Sequence, residues 1–456
     1  MVDKILTPEI RRLLKENDTE TLIEFFSDTH PRQAAEFLES LEIPEIWSIL
    51  AILETHDAAG IFSYFEMDFQ QALVKEGKGK PLKDLLEELS SDDRADLFKA
   101  LSQEDYDRTI AFLSKEEKED VEELIAHKEG TAGAVMSTDF AYCYLEQAVE
   151  DIFFYLRQYG ESKETIYYIY VIDEHEYLHG VVSLKDAVMA QLTDRIEDIM
   201  TDDIITVRPD VDQEEVADII KEYDLIAIPV IDENKALLGI ITHDDVFDIV
   251  QEEQTEDVER MMGIAGEVED RDYLDVPVSI HFKKRIPWIL GLFILGNLSS
   301  LVIGMYESMI YQVVILSFFF SLLTGTGGNT GAQSASVVLR SLTLNGITDS
   351  DFFKVLLKEF SISLLVAMVL FFFMYMRVYF FYGDLPHFPI WKVSLAISIA
   401  LAVQIVSSTM IGATLPMLAQ KVKLDPAVIA MPAITTLVDI TGLFIYLSIA
   451  RIILGL

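Results

Sequence analysis

Basic residues and cysteines are what this chain is short of. Against 76 acidic residues it carries 35 lysines and arginines, for a formal net charge of −41. That balance excludes a nucleic-acid partner, which needs a basic footprint. It would also repel an anionic lipid surface unless cations were bound. The single cysteine, Cys143, excludes an intramolecular disulfide and any Cys-x-x-Cys metal site. No charged stretch followed by a short apolar run opens the chain, so no secretory signal is expected and the N-terminus is expected in the cytosol. The eight histidines are scattered and no phosphate loop or nucleophile–base set occurs, which leaves an enzyme reading without support.

The charge is unevenly placed. Only eight basic and seven acidic residues follow Arg285, so the portion before Ile286 carries a net −42 and the rest is dominated by apolar runs. A helix needs about 20 apolar residues to cross a bilayer. Five segments meet that length: 287–306, 311–333, 356–382, 392–418 and 427–454. Lys283, Lys284 and Arg285 precede the first; Arg340, Lys354 and Lys358 lie between the second and third; Lys421 and Lys423 lie between the fourth and fifth. By the positive-inside rule the large N-terminal portion is cytoplasmic and the C-terminus outside, with Trp288 and Trp391 as interfacial anchors. Glu359 and Arg377, at the ends of the third span, are expected to snorkel to the two interfaces.

Asp439 cannot snorkel. It sits in PAITTLVDITGLFIYL with apolar or small residues on both sides. A carboxylate at the bilayer centre costs about 2.5–3.5 kcal/mol or more, so it faces a polar cavity or an ion path, or is satisfied by threonine and backbone partners. The second span ends in LLTGTGGNTGAQSASVVLRSL, where four glycines accompany Asn329 and Gln333. Such a stretch either lets helices pack closely or forms a loosely wound, cavity-lining helix end. The fifth span opens on DPAVIAMPAITT, where Pro426 can start a helix and Pro432 loosens its first turns. Two broken, polar-edged helices and one deep carboxylate make a cation pathway.

Two repeats organise the soluble portion. In residues 1–130 a helical pattern recurs at a spacing of 60: Leu22 echoes in Leu82, Ala35 in Ala95, Leu38 in Phe98. Amphipathic helices that repeat so make a stacked solenoid. Residues 136–250 repeat at an offset of 59, YVIDEHEYLHGVVSLKDAV against PVIDENKALLGIITHDDVF. Each copy reads as strand, acidic turn, strand after glycine, then helix. Beyond lies THDDVFDIVQEEQTEDVERMMGIAGEVED, which on a helix stacks Asp245, Asp248, Glu252, Glu256 and Glu259 in a column, with Glu253 and Asp257 beside it. Like charges at that spacing cost about 0.2–0.5 kcal/mol per pair, so the row is either a solvated face or a cation-binding one.

The second repeat resembles a cystathionine-β-synthase (CBS) domain pair. That resemblance implies a pseudo-twofold module that binds nucleotides or metals and regulates an attached partner. It makes Ser183, Asp186, Thr242 and Asp245 nucleotide candidates; the alternative is that they cap the following helices. The chain as a whole resembles the MgtE family of magnesium channels and transporters, most specifically in GGNTGAQSASVVLRSL, LDPAVIAMPAITTLVDITG and DDVFDIVQEEQTED. The resemblance implies a multidomain membrane protein: a cytosolic α-helical solenoid (1–130), an α/β CBS pair (131–250), an acidic connecting helix (251–281) and an all-α, five-span transmembrane domain (282–456). It implies a homodimer in the cell membrane that admits Mg2+ down the membrane potential and shuts when cytosolic Mg2+ is plentiful. Asp439 becomes the filter carboxylate, with Asn329, Gln333, Pro432, Thr435 and Thr436 lining the pore. Asp96, Asp224, Asp245, Asp248, Glu253, Glu256 and Asp257 become the Mg2+ sensor, and ATP is a further ligand of the CBS pair. Thr330 and Ala332 depart from the family's usual GGNAGNQS, which removes one amide from the pore. The competing class is a nucleotide-sensing CBS membrane regulator without its own pore.

Overall fold

The computed structural model describes residues 3–266, 273–274, 276–343, 346–385, 387–422 and 431–456, and the chain divides into two compact units, 1–253 and 254–456. Short helices run from Asp3–Glu16 to Lys115–Ala126. None is long enough to persist alone in water, so their apolar faces must stack. The repeat appears in that stacking, because Leu22 and Leu82, Phe26 and Leu86, and Leu38 and Phe98 all enter one buried core. One helix, α1 (Ser91–Ala100), points its N-terminus at the following domain. Ser91 N–H donates to Asp139 at 3.0 Å, the Ser91 and Ser137 hydroxyls lie 3.0 Å apart, and Thr138 N–H donates to Ser91 Oγ at 2.7 Å.

The CBS-like repeat is exact in its pairing. Strands β1 (Phe140–Tyr144), β2 (Thr165–Ile172) and β3 (Leu178–Ser183) form one sheet in that order; β4 (Ala227–Ile231) and β5 (Leu237–Thr242) form another. Val171 opposes Gly180 as Val230 opposes Gly239, and Tyr168 opposes Ser183 as Ala227 opposes Thr242, each at an offset of 59. The turns match too. Asp173 Oδ1 accepts from the N–H groups of His175 and Tyr177, and Asp232 Oδ1 from those of Asn234 and Ala236. Glu176 and Lys235 both take positive φ. The halves exchange contacts reciprocally: a Cβ on Gly180 would strike Met200 and Thr201, and one on Gly239 would strike Met136 and Ser137. Short helix α2 (Leu184–Met189) follows β3, and the 19-residue α3 (His243–Met261) follows β5. The acidic connector is therefore helical, but its helix starts at His243 inside the CBS pair and ends at Met261. The rest of the expected 251–281 helix is a turn, the undescribed 267–272 and 275, and the start of the next helix.

The second unit holds five long helices: α4 (Val278–Met305), α5 (Phe320–Thr343), α6 (Phe352–Phe381), α7 (Ile390–Lys421) and α8 (Met431–Leu454). Among the described residues four of them, all but α5, are long and apolar enough to cross a membrane. This corrects the expectation of five. The expected second span, 311–333, is not one helix. A short helix (Glu307–Gln312) and a 3-10 segment (Val314–Phe319) precede α5, and the glycines fall in its regular interior rather than in a loosened end. Pro426 and Lys423 lie outside the described residues.

Helix α7 packs against α5, α6 and α8, and much of its surface is buried. Glycine makes the contact with α5 close: Gly331 stands against the Ser408 carbonyl, and a Cβ on Gly412 would overlap the Gly331 backbone. Thr330 and Ser408 hydroxyls meet at 2.8 Å beside it. Glu359 does not snorkel. It is 9% exposed, and Ser334 Oγ of α5 donates to its Oε2 at 2.8 Å. Arg377 instead lies over the Phe319 and Phe381 rings, 5.9 and 5.8 Å from their centroids.

Candidate functional site

Two carboxylate environments stand out, one in each unit. In the first, α1 brings Asp92 and Asp93 to Asp139 and Glu164 of the CBS pair and to Asp244 and Asp245 at the start of α3. Asp92 Oδ1 is buried and has no hydrogen-bond partner among the described residues. Burial pushes the Asp92 carboxyl well above the usual range, and the negative charges of Asp93, Glu164 and Asp245 push the same way. Glu164 is raised to about 7, by burial first and then by Asp245, Asp244, Asp93 and Asp139. Asp245 is raised by burial, although the Thr242 hydroxyl (2.6 Å) and N–H (3.0 Å) hold it down. Buried acids that repel one another gain when a cation displaces their protons, so this donor set fits a divalent ion bound through oxygen. Among the described residues no three His, Cys, Asp or Glu side chains are gathered tightly enough to enclose a metal. The junction is a charge cluster, not a finished coordination sphere.

The expected sensor residues distribute unevenly around it. Asp245 is in the cluster. Asp96 is exposed one turn along α1, whose Asp92 and Asp93 enter the cluster. Asp224, in a positive-φ turn, and Asp248 are exposed. Glu253 accepts from the buried Gln213 Nε2 at 2.7 Å, which also reaches Glu252 at 3.3 Å. Glu256 pairs with Arg260 one turn on, and Asp257 is half-buried. Glu164 went unnoticed in the sequence because only docking places it beside α3. Asp92 and Asp93 carried the signal of a helix start and nothing more.

Ser183 caps its helix, accepting from Asp186 N–H at 3.0 Å while its hydroxyl donates to Asp186 Oδ2 at 2.6 Å; the Thr242 hydroxyl and N–H both donate to Asp245, at 2.6 and 3.0 Å. The letters His-Glu-x-x-His do occur, at 175–179. They fall on a turn and a strand rather than a helix, with His179 bonded to Asp173 at 2.9 Å, so the two imidazoles do not form a helical zinc pair.

In the second unit Asp439 of α8 is half-buried, with neither a hydrogen bond nor a basic neighbour among the described residues. Thr435 and Thr436, one turn earlier, donate back to the Met431 and Pro432 carbonyls at 3.0 and 2.8 Å. Thr435 packs against Gly328 of α5. On α5 the residues exposed in a single chain recur every turn: Ser321 and Leu322, Gly325, Asn329, Gln333, Ser336 and Val337, and Arg340. Six of these eight are polar or glycine, with Leu322 and Val337 at the edge of the stripe. Lipid does not satisfy such a face; a second protein surface or water does.

Comparison with known proteins agrees with this layout. The family described as "Divalent cation transporter" matches residues 320–449, the "MgtE intracellular N domain" 29–130, and the "CBS domain" 132–193 and 196–252. The magnesium transporter MgtE of Thermus thermophilus is 34% identical over 457 residues, covering 99% of both chains. That of Enterococcus faecalis is 35% identical, covering 74% of this chain and 72% of its own. A crystal structure of the soluble part of a magnesium transporter superposes with a TM-score of 0.52 at 30% identity, over 55% of this chain and 99% of that one.

Proposed function

Because the chain belongs to the MgtE family of divalent cation transporters, we propose that it conducts Mg2+ into the cell along the membrane potential and is shut by Mg2+ bound on its cytosolic side. The family is one of transporters, not enzymes; its members span the membrane and carry an intracellular N domain. The observation that carries the reading is Asp439, a carboxylate with no basic neighbour among the described residues, on an apolar helix whose Thr435 packs against Gly328 of α5.

Helix α5 supplies the fifth crossing in this reading. Its polar residues lower its hydropathy because Asn329 and Gln333 face a pore rather than lipid. A second copy of the chain covers the stripe, so that Asp439 appears twice around the axis and Pro432, Thr435 and Thr436 line the approach. The C-terminus then lies outside. Mg2+ sheds water reluctantly and takes octahedral oxygen ligands, so a pair of carboxylates holding a hydrated ion suits it. Inward movement of a divalent ion gains about 4.6 kcal/mol per 100 mV, twice the single-charge value, and needs no ATP hydrolysis.

On the cytosolic side Asp92, Asp93, Glu164 and Asp245 would hold Mg2+ at the junction, with Asp96, Asp224, Asp248, Glu253, Glu256 and Asp257 as the further acidic sites along α1, the CBS pair and α3. Adenine nucleotide such as ATP is the second ligand we assign to the CBS pair, at Ser183, Asp186 and Thr242. Purified protein reconstituted alone in liposomes, loaded with a magnesium dye and given an inside-negative potential, tests the pore. Wild type should take up Mg2+ and Asp439→Ala should not. Normal uptake by the variant would remove the filter assignment, and no flux from wild type would leave a CBS membrane regulator in its place.

A further inference from the structure

Gln404 lies mid-way along α7 and is 1% exposed. A primary amide at that depth is costly unless its groups are bonded. Its Nε2 donates to the Val438 carbonyl of α8 at 3.1 Å, while its Oε1 is buried without a donor among the described residues. Space for the amide is cut from both neighbouring helices. A Cβ on Gly327 of α5, or on Gly442 of α8, would overlap it. One polar side chain thus fills a slot that glycine opens on each side, and it reaches across to a single carbonyl.

That carbonyl belongs to the peptide that carries the Asp439 N–H. Thr441 Oγ1 also contacts it, at 3.2 Å. The peptide before Asp439 is therefore held from a neighbouring helix as well as from its own. Of the other polar ties of α7, Ser408 to Thr330 fixes α5, and Lys392 Nζ donates to the Leu454 carbonyl at 3.3 Å, at the far end of α8 from Asp439. We propose that Gln404 is a positioning residue for the permeating ion: it sets the rotation of α8 about its axis, and with it the direction in which the Asp439 carboxylate is presented. The inference rests on Asp439 being the ion-binding carboxylate. A ligand whose supporting hydrogen bond is lost keeps its charge but not its aim, and such losses cost on the order of tenfold or more in metal affinity. Discrimination between Mg2+ and the larger Ca2+ suffers with it, because Mg2+ tolerates less deviation from octahedral geometry.

The test uses full-length protein in liposomes, with uptake of Mg2+ and Ca2+ measured separately. Gln404→Met keeps length and volume but has no donor. It should unfold in detergent close to the wild-type temperature, while half-saturating Mg2+ rises on the order of tenfold and the preference over Ca2+ falls. Gln404→Glu, protonated at this depth, keeps a donor and should retain the preference at neutral pH. Wild-type affinity and preference in Gln404→Met would overturn the proposal. If that variant does not fold, Gln404→Glu decides: the preference should fall as the pH is raised and the acid ionises, and a preference that stays flat while it ionises overturns the idea. Asp439→Ala, run alongside, separates the premise. Uptake surviving there sinks the filter reading itself, whereas an inactive Asp439→Ala with an unaffected Gln404→Met sinks only the positioning role.

Discussion

A carboxylate taken out of water binds its proton more tightly unless something neutralises it, and Asp92, Glu164 and Asp245 are all in that position. Asp92→Asn replaces the buried carboxyl with an amide that cannot ionise, so it no longer adds to the repulsion among these acids. The metal-free protein should become more resistant to protease at the junction, and added Mg2+ should protect it less than it protects wild type. Asp96→Asn, on an exposed position, should change stability by less than about 0.5 kcal/mol. Limited proteolysis of both variants with and without Mg2+ checks the pair; equal Mg2+ protection in Asp92→Asn and wild type would take Asp92 out of the sensor. These residues also mark what could be read beforehand. Asp439 announced itself, because a lone acid in an apolar run has few physical explanations. Glu359 did not: its place near a helix end suggested an interface, and only packing against Ser334 shows it buried. Glu164 had no local signal at all, since its partners are some 80 residues further on or 70 back in sequence.

At the scale of the helix, apolar length located α4, α6, α7 and α8 but misplaced the second span and the connector, and what glycine does depended on neighbours that the sequence pattern cannot see. The glycines of α5 read equally as a loosened helix end or as a packing face, and the structure realises the second at Gly331, where α7 comes to van der Waals contact. The irregular backbone lies instead at 306–319, before the helix, across the gap between the first two expected spans and the start of the second. Gly412→Ala tests the packing. On an isolated helix alanine is favoured over glycine by about 1 kcal/mol. Here the added methyl meets the Gly331 backbone, which cannot rotate away, and overpacking of this kind costs about 1–3 kcal/mol. The expected outcome is a lower unfolding temperature in detergent. Gly291→Ala on α4, where a Cβ meets open space, should not lower it.

At the scale of the whole molecule, the net −42 of the portion before Ile286 makes proton and metal binding compete. Glu164 is the group that sets the window, with a carboxyl raised to about 7 from an ordinary 4.5. The direction follows from linkage. A raised carboxyl contributes stability below about pH 4.5, and that contribution is lost as pH rises through 7, so the metal-free junction loosens toward alkaline pH. Mg2+ works in the opposite sense, because it must displace the proton to reach the oxygens. At pH 6 a group titrating near 7 is about one-tenth ionised, and at pH 8 about nine-tenths. If one proton leaves for each ion bound, the half-closing Mg2+ concentration should be about tenfold lower at pH 8 than at pH 6. Flux through the reconstituted protein, measured against Mg2+ on the side of the soluble domains at the two pH values, gives both midpoints directly. Glu164→Gln should flatten most of the difference while leaving Asp439-dependent uptake in place. Midpoints that coincide in wild type would mean that the ions closing the pore do not displace the Glu164 proton and bind elsewhere on α3, at solvent-exposed carboxylates such as Asp248.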